Sequence, residues 1–343
     1  MTPKLSIVDL GTVAPGTTAA DALSDALATA RQADALGYHR IWFAEHHGAV
    51  ANASANPELL IAAAAAQTSG IRVGSGAVLL NHYSPFKVAE MFKQLEAMFP
   101  DRIDLGIGRA TAGRVLDYAL KRDRNAGPSN DHAAQVQEVL AWLHNAFPVD
   151  HPFAGEPLIP SVPHLPQTWL LGSSPSSANM AAQMGIGYTF AGFINPAAAA
   201  NVLQSYRKMF TTTPFGSGSP QAMLGVNVTV GETLEEAAWL VSSVKGFYSQ
   251  IGRGDYASPV PSCKQAMAAL DADQRDEPTL ITNGRWPRFV AGTPDQVRDT
   301  LDQMVRESGV GEVIVQDMIA RVDDRHRSQA LLAKAYGLTP RRQ

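Results

Sequence analysis

The sequence predicts an α/β fold, a closed (β/α)8 TIM barrel of parallel strands with an insertion before the last strand. Three features predict it. Apolar strand-like runs alternate with helix-like segments through almost the whole chain, helices open on a recurring proline signal, and polar residues gather where strands end. Unbroken alternation favours a single domain over residues 1–343, with an open doubly wound sheet as the alternative.

Taken in order, strands are expected at residues 5–10, 40–44, 71–80, 102–107, 168–171, 188–192, 223–230 and 312–316, each a short apolar run bounded by turn formers. Thr18 and Asp21 form the expected capping box of the first helix, whose apolar side carries Leu23, Leu27 and Ala30 and which Gly37 ends. Later helix starts pair a capping residue with proline: Asn56 with Pro57, Ser84 with Pro85, Ser174 with Pro175, Asn195 with Pro196, and Thr293 with Pro294. Proline is tolerated there because the first N–H of a helix has no intrahelical partner to lose. Two stretches break the rhythm. Residues 111–130 are charged and contain glycine, whereas 251–289 carry Tyr256, Pro259, Pro261 and Trp286 and are expected to form a lid, a solvated excursion being the alternative.

Composition narrows the function. With 45% hydrophobic and 17% charged residues and a formal charge of −4, the chain reads as globular with no basic footprint for nucleic acid or an anionic membrane. A small-molecule substrate is expected instead. The single cysteine, Cys263, excludes an internal disulfide and a cysteine-based zinc site, and with no signal-like start the expected location is the cytoplasm. The Ala-rich run 61–66 is too short to span a bilayer.

The strand ends carry the chemistry. In WFAEHH, residues 42–47, Glu45 and His46 are candidates for acid–base work, because a histidine at a barrel mouth titrates near neutral pH. If the strand runs on, alternation turns His46 and His47 to opposite faces. That argues against a shared metal, and no HExxH spacing occurs, so no metal is expected; a structural Glu–His pair is the plain alternative. In LGSSPSSA, residues 171–178, the hydroxyls of Ser173, Ser174 and Ser177 at a helix start suit a phosphate, and Arg109 ends the neighbouring strand. A simple N-cap with a surface arginine is the alternative. Gly76 and Ala77 lie in GSGA, where small residues let a flat ring approach the backbone or mark a bulge. Trp42 and Met91 read as packing residues.

Together LSIVDLG, WFAEHH, VGSGAVLLNHYSPFKVAE, RIDLGIGRA, LGSSPSSA and VAGTPDQV, in that order over about residues 4–320, resemble the bacterial-luciferase-like flavin monooxygenase family. The resemblance implies a (β/α)8 barrel and an FMN-dependent monooxygenase, an oxidoreductase whose reduced FMN reacts with O2 on a small organic substrate such as an aldehyde or ketone. It matches His46 to the family's active-site histidine, Glu45 to a residue near the flavin, and Arg109 and Ser174 to positions near its phosphate. Gly76 and Ala77 match the place of a cis peptide under the isoalloxazine ring. Gly76 and Gly108 stand where true luciferases carry alanine and cysteine, which favours an oxidoreductase over a light emitter. A separate flavin reductase and a homodimer are further implications. The rivals are a deazaflavin-dependent oxidoreductase on the same barrel, a non-catalytic flavin-binding protein and a metal-dependent hydrolase built on Glu45 and His46.

Overall fold

The structure is a computed structural model that describes residues 2–121, 124–125 and 131–341. Its elements run β1 (Lys4–Asp9), α1 (Ala19–Leu36), β2 (Arg40–Phe43), α2 (Pro57–Ala66), β3 (Arg72–Ser75), β4 (Val78–Leu79), α3 (Pro85–Met98), β5 (Ile103–Gly108), α4 (Arg114–Leu120), α5 (His132–His144), β6 (Gln167–Gly172), α6 (Pro175–Met184), β7 (Gly187–Ala191), α7 (Pro196–Met209), β8 (Ala222–Val230), α8 (Leu234–Gly252), α9 (Cys263–Ala269), α10 (Ala272–Asp276), β9 (Phe289–Gly292), α11 (Pro294–Ser308), β10 (Glu312–Gln316) and α12 (Val322–Ala335). All the strand pairings are parallel. The ring runs β10-β1-β2-β3-β5-β6-β7-β8 and closes where β8 meets β10, from Met223 opposite Glu312 to Asn227 opposite Gln316. The chain is thus the closed barrel its alternation predicts.

Several details depart from the expectation. The strand expected over 71–80 is two pieces: β3 stops at Ser75, the Gly76–Ala77 peptide is cis, and Val78 and Leu79 resume pairing with β5. Leu79 donates its N–H to the Glu45 carboxylate at 2.9 Å, so a side chain takes the donor that a ladder would use. A strand that the pattern does not predict, β9, pairs with the upper end of β8, Asn227 opposite Phe289 through Val230 opposite Gly292. Its four residues are too few to show a period. Of the 111–130 stretch, Arg114–Leu120 is helical, while residues 122–123 and 126–130 lie outside the described residues.

All five prolines stand at the start of helices, but the side chains before them behave differently. Ser174 accepts from the Ser177 N–H, and Thr293 is tied through its N–H and hydroxyl to the Gln296 carboxamide; Asn56, Ser84 and Asn195 make no capping bond. Helix α1 does have its Thr18–Asp21 box and its Gly37 end. Its buried stripe is Ala22, Ala26, Ala30 and Ala33, with Leu23 and Leu27 only partly buried. Small residues bring the helix axis close to the sheet.

The 251–289 stretch is folded onto α8. Ser243 donates to the Pro261 carbonyl at 2.6 Å, and the buried Lys245 ammonium donates to the carbonyls of Arg275 and Glu277 at 2.9 Å each. Those bonds anchor α9 and α10.

Inside the barrel the side chains form layers. The floor is charged: Arg40 lies 2.7 Å from both Asp104 and Glu312, and Arg72 also reaches Asp104. Burial opposes ionisation of Asp104, yet the two guanidiniums hold its carboxyl below the usual range. Above the floor, Trp42 donates to Asp104 at 3.0 Å and packs edge-on against Trp169, with ring centroids 5.9 Å apart. Room for that indole comes from β3 and β5: a Cβ at Gly74 would lie 2.5 Å from the Asp104 carbonyl oxygen and 2.8 Å from Trp42 Nε1.

Replacing Arg40 with methionine should strand Glu312 as a buried carboxylate without its cation and leave Asp104 to Arg72 alone. The expected loss is about 3–5 kcal/mol, read from urea unfolding at neutral pH. A loss below about 1 kcal/mol, the scale of an exposed pair, would contradict this account of the floor.

Candidate active site

The mouth of the barrel is shaped by where each strand lets go of the sheet. β2 ends at Phe43; Ala44 donates a last rung to the Asp9 carbonyl of β1, and His46 donates its N–H instead to the Ser54 carbonyl. Residues 44–47 are therefore loop, and strand alternation no longer governs them. Both His46 and His47 line the cavity, which corrects the expectation that only one faces it.

Glu45 is the anchor of this corner. Its buried carboxylate accepts from His47 Nε2 at 2.7 Å, from the Tyr83 hydroxyl at 2.9 Å and from the Leu79 N–H at 2.9 Å. Burial and the neighbouring Glu45 charge push the Tyr83 phenol above its ordinary range, so it remains a donor. His46 differs from its neighbour: its Nδ1 is sealed from solvent and has no hydrogen-bond partner. Burial, with a smaller push from His47, takes its pKa from the ordinary 6.5 down to about 4. The expectation of an imidazole titrating near neutrality is corrected accordingly, since desolvation disfavours the cation.

Gly76, Ala77, Arg109 and Ser173 line the same cavity as Glu45 and His46. A Cβ on Gly76 would come within 3.1 Å of both Trp42 and Val8, so glycine keeps the wall flat there. Arg109 follows β5 and is felt by His132 on α5, whose imidazole is pushed down by burial first and by this guanidinium second. Ser174 and Ser177 sit at the start of α6 without forming the cavity wall; Ser177 Oγ donates to the Ser174 carbonyl at 2.9 Å and lies 3.0 Å from the Tyr188 hydroxyl. Among the described residues, no three His, Cys, Asp or Glu side chains are placed to hold a metal ion.

The cavity has a volume of about 660 Å³, within the range of small-molecule and cofactor sites. Sequence reasoning missed its other wall, where Phe193, Phe247, Tyr248 and Gln316 stand, and it treated Trp42, which also lines the cavity, as packing alone. The signal for Gln316 was available: it is the last residue of the last strand, at the face where barrel sites form. Tyr248 carries no such mark, because it lies deep in a long helix.

A family model described as luciferase-like monooxygenase matches residues 4–312. The chain belongs to the luciferase-like monooxygenase family. The family is one of oxygenase enzymes. Among its relatives, N-acetyl-S-alkylcysteine monooxygenase of Bacillus subtilis is 32% identical over 97% of this luciferase-like chain and 98% of its own. The solved structure of apo-MsnO8 superposes with a TM-score of 0.89 at 41% identity, covering 99% of this chain and 100% of that one. More distant barrels show the fold alone: the oxygenating constituent of 3,6-diketocamphane monooxygenase in complex with FMN (22% identity, TM-score 0.69, 98% of each chain) and an F420-dependent secondary alcohol dehydrogenase (16%, 0.67, 98% and 99%). No helix among the described residues of this family member is long and apolar enough to cross a membrane.

The His46 environment has a measurable sign. The unfolded chain binds a proton at His46 below about 6.5 and the folded chain only near 4, so stability present at neutral pH is lost as pH falls between those values. NMR titration of the His46 ring should give a midpoint near 4, and His46→Gln should flatten the fall in stability over that window. A midpoint near 6.5 would refute the neutral imidazole.

Proposed function

We propose that this luciferase-like chain is an FMN-dependent monooxygenase that uses reduced FMN and O2 on a small organic substrate. The observation that carries the reading is one cavity in which His46, Gly76, Ala77, Arg109 and Ser173 meet at the C-terminal mouth of a barrel. When bound, the reduced flavin supplies the electrons that activate O2. The protein residues do the rest. Arg109 and Ser173, with the start of α6 at Ser174 and Ser177, hold the phosphate by charge and hydrogen bonds. Gly76 and Ala77 offer a flat backbone to the ring, and the apolar walls exclude water.

His46 is the proton-handling group in this reading. His47 is already bonded to Glu45, whereas His46 lines the cavity without that bond. A neutral imidazole on the cavity wall takes or holds a proton there, and Glu45 keeps the corner rigid through its three bonds. His46→Ala should cut turnover about 100-fold to 10,000-fold while flavin affinity stays within a few-fold. Delivery of reduced flavin by a separate reductase, a homodimeric assembly and a cytoplasmic location belong to the same proposal. So does closure of 251–289 over the mouth, for which Tyr256 stands on the cavity wall. Hydrogen exchange in that stretch should slow on flavin addition.

The second reading is a deazaflavin-dependent oxidoreductase, favoured by the F420-dependent enzyme that shares the barrel. Absorbance titration with FMN and with deazaflavin separates the two, because only reduced FMN supports aerobic turnover. The phosphate assignment has its own test: Arg109→Ala should weaken FMN by about 1.5–3 kcal/mol and riboflavin much less. Equal loss for both flavins would refute it.

A further inference from the structure

The ring of eight strands sets two walls of the cavity against each other. β3 and β8 are four strands apart in either direction, as are β5 and β10. Gly76 and Ala77 after β3 and Arg109 after β5 therefore face a wall made by β8, β10 and α8, while Ser173 after β6 borders it through β7, the hydrogen-bonded neighbour of β6. On that far wall stand Phe247, Tyr248 and Gln316, and Thr189 of β7 with Phe193 after it form its edge beside Ser173. A role for the far wall rests on the first wall being the flavin side, as proposed for this family member.

The far wall carries polar atoms that await a partner. Thr189 is 4% exposed, lines the cavity, and its hydroxyl has no hydrogen-bond partner. Gln316, also 4% exposed, donates from Nε2 to the Tyr248 hydroxyl at 3.1 Å, and the Asn227 side chain bonds the same oxygen, which leaves the phenolic O–H to turn toward a ligand. Burial holds the Tyr248 phenol above its ordinary range, so it stays a neutral donor. Behind it, Asn227 Oδ1 is likewise buried without a partner. Unsatisfied polar atoms in an otherwise packed wall are costly unless a ligand or water completes them.

Formal charge is missing from this wall. The cavity's charged lining residues among the described ones are Glu45, which three donors already occupy, and Arg109 on the flavin side. The cation behind the wall, Arg288, does not line the cavity: it donates to the Phe193 carbonyl at 2.9 Å and sits 4.5 Å from the Tyr248 ring centre. A carboxylate or ammonium entering here would shed its hydration without gaining an ion pair. Phe193, Phe247 and the Tyr248 ring reward flat apolar surface instead.

We propose that the wall of Thr189, Phe193, Phe247, Tyr248 and Gln316 is the organic-substrate subsite, and that it takes an uncharged, ring-bearing molecule oriented by one oxygen bonded to Tyr248. The acceptor is a carbonyl, phenol or ether oxygen, and Gln316 positions the phenol that donates to it. An anionic substrate of the N-acetyl amino acid kind is excluded by the same wall.

The test titrates FMN-loaded protein by calorimetry with methyl naphthyl ketone and with the same ketone bearing a ring carboxylate, FMN occupancy being read independently from absorbance. The neutral ketone should bind at least about tenfold more tightly, the penalty for an unpaired buried charge being larger than that. Tyr248→Phe should weaken the ketone about fivefold to tenfold, the scale of one hydrogen bond, and Gln316→Leu should weaken it in the same direction, both with FMN occupancy unchanged. Should Gln316→Leu fail to fold, Tyr248→Phe decides alone. Equal or tighter binding of the carboxylate, no binding of either ketone, or a Tyr248→Phe protein that binds the ketone like the parent would each overturn the proposal. If FMN itself does not load, the flavin reading fails, and the same ketone titration on the flavin-free protein judges this subsite separately.

Discussion

Arg40 lies at the bottom of the barrel with its guanidinium between Asp104 of β5 and Glu312 of β10, and the geometry above it depends on that contact. The two carboxylates come from strands on opposite sides of the ring. Ser6 of β1 also bonds Glu312, and Arg72 of β3 bonds Asp104, so one buried network ties five of the eight barrel strands together. Arginine suits the task because its planar fork meets two carboxylates at once, which a lysine does not. A buried ion pair is not a strong source of net stability, since desolvation offsets much of the attraction. Its contribution is to specify the arrangement: only the strand order that brings these five residues together leaves no charge unpaired.

That floor sets the height of everything else. Asp104 fixes the Trp42 indole, Trp42 meets Trp169, and the cavity begins at Trp42. The strand tips then build the chemistry by leaving the sheet at different points. β2 releases the chain early enough to bring both histidines to the cavity, and β3 hands over to β4 so that the Leu79 N–H reaches Glu45. Acid–base function and barrel packing are therefore not separate regions. They are consecutive layers of one interior.

Much of this was legible because the signals are local. Proline at the first turn of a helix is a property of two adjacent residues, and all five such sites open helices. Residues at strand ends are similarly readable, and Glu45, His46, Gly76, Ala77, Arg109 and Ser173 do share one cavity. What was not legible depends on contacts far apart in the chain. Arg40 and Glu312 are separated by 272 positions, and nothing in either segment advertises the other. The lowered His46 pKa arises from burial, which a strand-end position does not reveal. The short β9 was hidden because its pairing with β8, rather than its four residues, makes it a strand.

The long strand β8 has a consequence for how such a protein can change. Its lower half bonds β10 and its upper half bonds β9, so one edge serves two successive neighbours. The barrel is consequently shut below Asn227 and unzipped above it. Everything between Gly231 and Arg288 hangs from this fork, including the helix that carries Phe247 and Tyr248. Insertions, deletions or swaps in that excursion can reshape one side of the mouth without removing a single rung from the ring of eight. Such a fork separates the part of the molecule that must stay constant from the part free to drift toward new molecules.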